Sequence, residues 1–270
     1  RRFDRLGAAL VTIARVAILI GFERVADGGP VAPAAIAAGF VALVLFGWHE
    51  RRIEDPVLPI PLLVHPTIAG CVLTQMLTGF VQFAFLSYLP SLAVRVVHDI
   101  NAGLVVVPLT VLSITLGAGS SLLALRSGTR LLGLAAGLSA GMAGLAVCRF
   151  GDMTGGLFVA SLLGGLAVGL ILIPTLLLAQ HVAPPDRLGA VTSLVVYARN
   201  FGGAAGIAAV AAVVERVGAD GVAAQPAHID GFIAVTIVGF AIMAAALLLP
   251  SRATEADIVA RSKERSEAEP

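Results

Sequence analysis

The sequence predicts an all-α polytopic membrane protein with eight transmembrane helices, and three observations carry that prediction. Of 270 residues, 58% are hydrophobic and only 13% charged, with a mean hydropathy of +0.95. Soluble domains carry about 25% charged residues. The apolar residues gather into runs of about 17–25, long enough to cross the hydrocarbon core. Those runs are hydrophobic on every face, whereas barrel strands alternate apolar and polar over about 10 residues.

The spans lie near 6–22, 31–48, 67–89, 103–125, 130–148, 155–179, 189–214 and 231–250. The first two form a hairpin, residues 1–48, joined by Asp27-Gly28-Gly29-Pro30. A charged, proline-rich connector, HERRIEDPVLPIPLLVHP, fills 49–66. Prolines 56, 59 and 61 predict an extended stretch and mark the main internal boundary. The other six spans, 67–250, form a second unit, with Pro108 and Pro174 expected to kink their helices. After Pro250 the chain turns polar with alternating charges and no apolar face, so 251–270 is expected to be a disordered tail.

Charge fixes the expected orientation. With both ends on one side, twelve of the eighteen basic residues fall there, including Arg51, Arg52, Arg126, Arg130 and Arg252. The opposite side receives Arg24, Arg95, Arg149 and Arg216. Basic residues accumulate in the cytoplasm, so both ends are predicted cytoplasmic in a multi-pass protein of the inner (plasma) membrane. A net charge of +1 implies no nucleic-acid partner, and the lipid bilayer is the expected surrounding. Because residue 1 is Arg and a basic segment runs straight into a span, the chain is expected to be a piece of a longer protein.

Not one span carries an Asp or Glu in its interior; all 17 acids sit at span ends, in connections or in the tail. The five histidines also lie at span ends or in loops, and Cys71 and Cys148 sit alone within spans. No metal site, enzyme site or cofactor is therefore expected, and the lack of a glycine loop with a lysine argues against a nucleotide-driven pump.

Arg199 stands out, about ten residues and roughly 15 Å into the seventh span, with Asn200 beside it. A cation so deep must face the protein interior or a wet cavity. It is either a structural arginine bonded to carbonyls or an arginine lining a cavity or gate. Arg15, in the first span, has no evident partner. In the third span Gln75, Thr78 and Gln82 share one helix face, flanked by Thr74, with Tyr88 near the outer end. Interhelical hydrogen bonding explains such a stripe; so does a substrate-cavity wall, for which Phe80, Phe83 and Phe85 would suit an amphipathic ligand. Small residues recur every fourth position: Gly133, Gly137 and Gly141; Ser161, Gly165 and Gly169; Gly202 and Gly206. That spacing predicts close helix packing in lipid.

Three stretches are shared with a known pattern. They are the opening DRLGAALVTIARVAILIG with its hairpin and HERRIEDPVLPIPLLVHPTIAG, then SYLPSLAVRVVHDINAGLVVVPLTV (87–111), and finally the string from 169 to 208 ending in YARNFGGAAGIA. In order and spacing they resemble the fourteen-span drug/proton antiporters of the major facilitator superfamily. The resemblance implies that the chain is the linker hairpin plus the C-terminal six-helix bundle, lacking the N-terminal six-helix bundle, which would lie on the same or a separate chain. It implies multidrug efflux of a small amphipathic substrate, coupled to protons in the intact transporter by alternating access. The family's cytoplasmic loop motif, G-x-L-a-D-R-x-G-x-R, would fall on SLLALRSGTR, where Arg126, Gly128 and Arg130 match. Ser121 replaces its glycine and Leu125 its acid, so the acid's role cannot be carried over. The alternatives are a non-transporting eight-span remnant or scaffold, or one half of a split transporter.

Overall fold

A computed structural model describes residues 5–24, 29–50, 60–96, 102–219 and 224–268. Among them every regular element is helical: α1 (Arg5–Glu23), α2 (Val31–Glu50), α3 (Pro66–Val96), α4 (Val107–Ser127), α5 (Thr129–Phe150), α6 (Thr154–Val182), α7 (Leu188–Ala219), α8 (Ala224–Ala246) and α9 (Arg252–Ala268). Short 3-10 turns at Ile60–Val64, Ala102–Val106 and Pro185–Arg187 lead into α3, α4 and α7. Five helices, α3 to α7, are long and apolar enough to cross a membrane, and shorter apolar stretches lie at Ala9–Ile18, Val31–Phe46 and Gly231–Ala246. The chain is thus all-helical and built like a polytopic membrane protein. Of the proline-rich connector, 51–59 lie outside the described residues.

Apolar side chains gain nothing by leaving lipid for protein, so helices in a membrane associate through close van der Waals approach. Glycines make that approach here. A methyl group added to Gly202 on α7 would overlap the Met76 carbonyl of α3, and one on Gly206 would overlap that of Phe80. Between α4 and α6, an added Cβ at Gly165 would lie 2.7 Å from the Leu109 oxygen, and one at Gly169 2.7 Å from the Leu116 Cβ. Between α5 and α8, Gly133, Gly137 and Gly141 face Ala246, Met243 and Phe240 in turn. Three helix pairs, α3–α7, α4–α6 and α5–α8, therefore meet nearly backbone to backbone. They close around a core in which Phe85 and Phe232 stack edge to face at 5.1 Å. The α1–α2 hairpin leans on α7, where Phe46 meets Leu194, with Leu10 and Tyr197 beside them.

Two sequence expectations need correction. Pro108 does not kink a span: the 3-10 turn ends at Val106, and Pro108 falls in the first turn of α4, where a missing N–H costs nothing. The next N–H, of Leu109, is a helix-end orphan satisfied by the Ser161 hydroxyl at 3.0 Å. Pro174 does lie inside α6, as does Pro90 inside α3. The second correction concerns the tail, where 252–268 is helix α9 rather than disordered chain. Its polar composition offers no continuous apolar face, yet Ala256, Val259 and Ala260 suffice to line a cavity against Ala124 and Leu125 of α4. Glu255 anchors its first turn to α5.

Gly202→Val is expected to destabilise the protein by on the order of 3 kcal/mol through overpacking of α3 against α7. Thermal unfolding in detergent should show the loss, while Gly189→Val, with open space at its Cβ, leaves the transition unchanged.

Candidate functional site

The polar stripe of α3 and the arginine of α7 meet where these two helices are in closest contact. Gly79 permits this: an added Cβ there would overlap the Arg199 carbonyl. One turn on, Gly203 lies against the Phe83 ring. Arg199 therefore rides on the α3-facing side of α7, three residues along α3 from Gln82. The opposite side of α7 turns Tyr197 and Phe201, stacked at 6.5 Å, toward the side where Leu194 meets the hairpin.

A buried polar group in a low-dielectric interior needs a partner. Gln75, 2% exposed, has two. Its amide nitrogen donates to the Leu172 carbonyl at 2.7 Å and to the Thr175 hydroxyl at 2.8 Å, tying α3 to α6. These acceptors lie on either side of Pro174 in α6. Thr175 in turn donates to the Ile171 carbonyl at 2.7 Å. Thr78 is buried and donates to the Thr74 carbonyl at 2.8 Å. Gln75 and Thr78 are thus bound within the protein, as interhelical and intrahelical hydrogen bonds.

Among the described residues, three buried side-chain atoms have no hydrogen-bond partner: Arg199 Nε, Gln82 Oε1 and Thr74 Oγ1. Arg199 and Gln82 are both half-buried, one a donor and the other an acceptor. A cation and a carbonyl oxygen of this kind can take the polar end of a molecule whose apolar body rests on aromatic rings. Half-buried Phe80 packs against the core, whereas Phe83, also half-buried, lies beside them with its ring against Gly203. Phe85 does not: it is fully buried against Phe232 in the core, and the sequence alone could not distinguish its helix face from theirs. Tyr88 is half-buried against the core, farther along α3. Asn200 is half-buried next to Arg199. Arg15 lies in α1, on the hairpin.

The residues of the loop motif gather elsewhere, at the α4–α5 turn. Arg126 is exposed in the last turn of α4, Gly128 separates the helices, and Arg130 is half-buried at the start of α5. The sequence passed over Thr175, Ser161 as a hydrogen-bond acceptor, and the pairing of Thr129 with Glu255. The Pro174-Thr175 dipeptide could have pointed to the first; the last joins residues 126 positions apart and left no local signal.

Residues 7–207 match the Major Facilitator Superfamily. The chain is also 30% identical over 223 residues to the puromycin resistance protein pur8 of Streptomyces alboniger, a match covering 77% of this chain and 43% of that protein. The chain thus spans less than half the length of this relative. The superfamily consists of membrane transporters rather than enzymes. With most of its length inside the matched region, this all-helical chain belongs to the Major Facilitator Superfamily.

Proposed function

We propose that the chain is the linker hairpin and second six-helix bundle of a drug exporter, α1–α2 being the hairpin and α3–α8 the bundle. The observation that carries this reading is the match to the puromycin resistance protein pur8 over less than half of that protein's length. The rest of such a relative has room for a second bundle. The least buried of the long helices, α4 and α7, offer apolar faces on which it could rock. Substrate is a small amphipathic molecule held between the bundles, and alternating access carries it across.

On this reading Arg199, Gln82 and Asn200 face the transport path, whereas Gln75 holds α3 to α6 and Thr78 is bonded within α3. Proton uptake belongs to the other bundle, because the spans read here contain no carboxylate to receive a proton. Both ends of the chain lie in the cytoplasm, on the side richer in arginine.

Two measurements test the proposal. The native gene product, extracted from its own membrane, is expected to have an intact mass near twice 27.5 kDa. A mass near 27.5 kDa, with no six-span partner in the same complex, would favour a non-transporting remnant instead. In the complete transporter, Arg199→Ala is expected to lower drug export by about tenfold or more, because a cation at this depth has few replacements. Arg199→Lys should keep part of the activity, and full export by a well-expressed Ala variant would remove Arg199 from the path.

A further inference from the structure

The turn between α4 and α5 contains no acid. The sequence from Ser121 to Arg130 is SLLALRSGTR, and Gly128 passes directly into α5 without a capping side chain of its own. A helix start presents unpaired N–H groups and a partial positive charge. Here the acceptor comes from 126 residues away. Thr129 donates its backbone N–H to Glu255 Oε2 at 2.7 Å and its hydroxyl to Glu255 Oε1. Thr129 is fully buried under this contact.

The surroundings are shaped to receive α9. Gly128 has φ +83°, a left-handed conformation that favours glycine. A Cβ there would also press to 3.1 Å of the Arg252 Cβ. A cavity of about 400 Å³ separates the two sides, with Ala124 and Leu125 on one wall and Ala256 and Val259 on the other. Leu125 stands where a carboxylate would complete the turn's motif, and it lines the same cavity as Glu255. Meanwhile α4 and α5 touch one another little, α4 packing chiefly on α6 and α5 on α8 and α6, so the turn is their main direct link. A strap across that turn, also touching α6, bears on all three helices.

We propose that Glu255 is a positioning residue: it supplies from α9 the carboxylate that the α4–α5 turn lacks, and so couples α9 to the movement of α4 and α5 during transport. The strap stands on the geometry alone, whereas the coupling rests on the transporter reading.

Ala124 is buried beneath α9 and reports its docking. In the full chain, purified in detergent, Ala124→Cys is labelled with a maleimide, with the unsubstituted chain as blank for Cys71 and Cys148. Glu255→Ala is expected to speed labelling about tenfold, as loss of a cap frees the segment it held. Glu255→Gln keeps an acceptor for the Thr129 N–H and should fall between. Equal rates in all three, with helical content by circular dichroism unchanged, would overturn the strap. Should Glu255→Ala unfold the chain, Thr129→Val, which removes only the hydroxyl bond, decides the same question by its labelling rate. In the complete transporter, Glu255→Ala is expected to lower the maximal export rate several-fold with KM unchanged, and Glu255→Gln to restore part of it. Faster labelling with unaltered export would overturn the coupling and leave the strap standing. Absence of export by the unsubstituted transporter would instead overturn the transporter reading, without touching the labelling result.

Discussion

The close approach of helix backbones at glycine is the constraint on which the rest of this structure depends. In lipid there is no hydrophobic reward for burying leucine against leucine, so contact must be tight enough for dispersion to hold the helices. The pairs α3–α7, α4–α6 and α5–α8 each use glycine for that purpose, and the added methyl groups that would overlap carbonyl oxygens show how little slack exists. Position follows from it. Because Gly79 lets α7 come down onto α3, the Arg199 backbone lies against α3 within one turn of Gln82. A larger residue at Gly79 would move the two polar groups apart before it affected either one directly.

Tight packing also decides which polar groups are structural. Hydroxyls within the helices mostly donate back to a carbonyl three or four residues earlier, as Thr78, Thr175 and Thr236 do. Ser161 and Gln75 reach across instead: Ser161 accepts from the Leu109 N–H in the first turn of α4, and Gln75 donates to the Leu172 carbonyl and the Thr175 hydroxyl of α6. These bonds hold helices in register, each contributing on the order of 1 kcal/mol. Among the described residues Arg199 Nε, Gln82 Oε1 and Thr74 Oγ1 lie outside this scheme. That contrast separates them from Gln75 and Thr78.

Much of the fold was legible in the sequence because lipid imposes a simple code. Long apolar runs without internal acids read directly as helices, and the four-residue glycine spacing in 133–141 reads as a packing face. Helix ends were less legible. The true start of α4 depends on a 3-10 turn that the apolar run VVVP hides, and α3 continues through Pro90 to Val96 where hydropathy alone suggested a stop. Within the stripe, spacing placed Gln75, Thr78 and Gln82 on one face, but only the neighbouring helices could separate a bonded amide from an unbonded one. The tail was misread for a related reason. Alternating charges usually signal a solvated chain, and nothing local shows that one of those charges, Glu255, fits a helix end far away in sequence.

The distribution of charge ties these observations together. Carboxylates are kept out of the span interiors, and Arg199 and Arg15 are the basic residues placed within them. Where a carboxylate is needed, at the bare start of α5, it is borrowed from α9 outside the long apolar helices. A carboxylate in the middle of a span would have to be neutralised or paired, whereas one outside the apolar runs can be hydrated at lower cost. This arrangement also leaves the Arg199 guanidinium without an internal rival for an incoming negative or electron-rich group. A fixed positive charge within α7 and a carboxylate contact at the start of α5 are different devices, and each sits where its electrostatics allows.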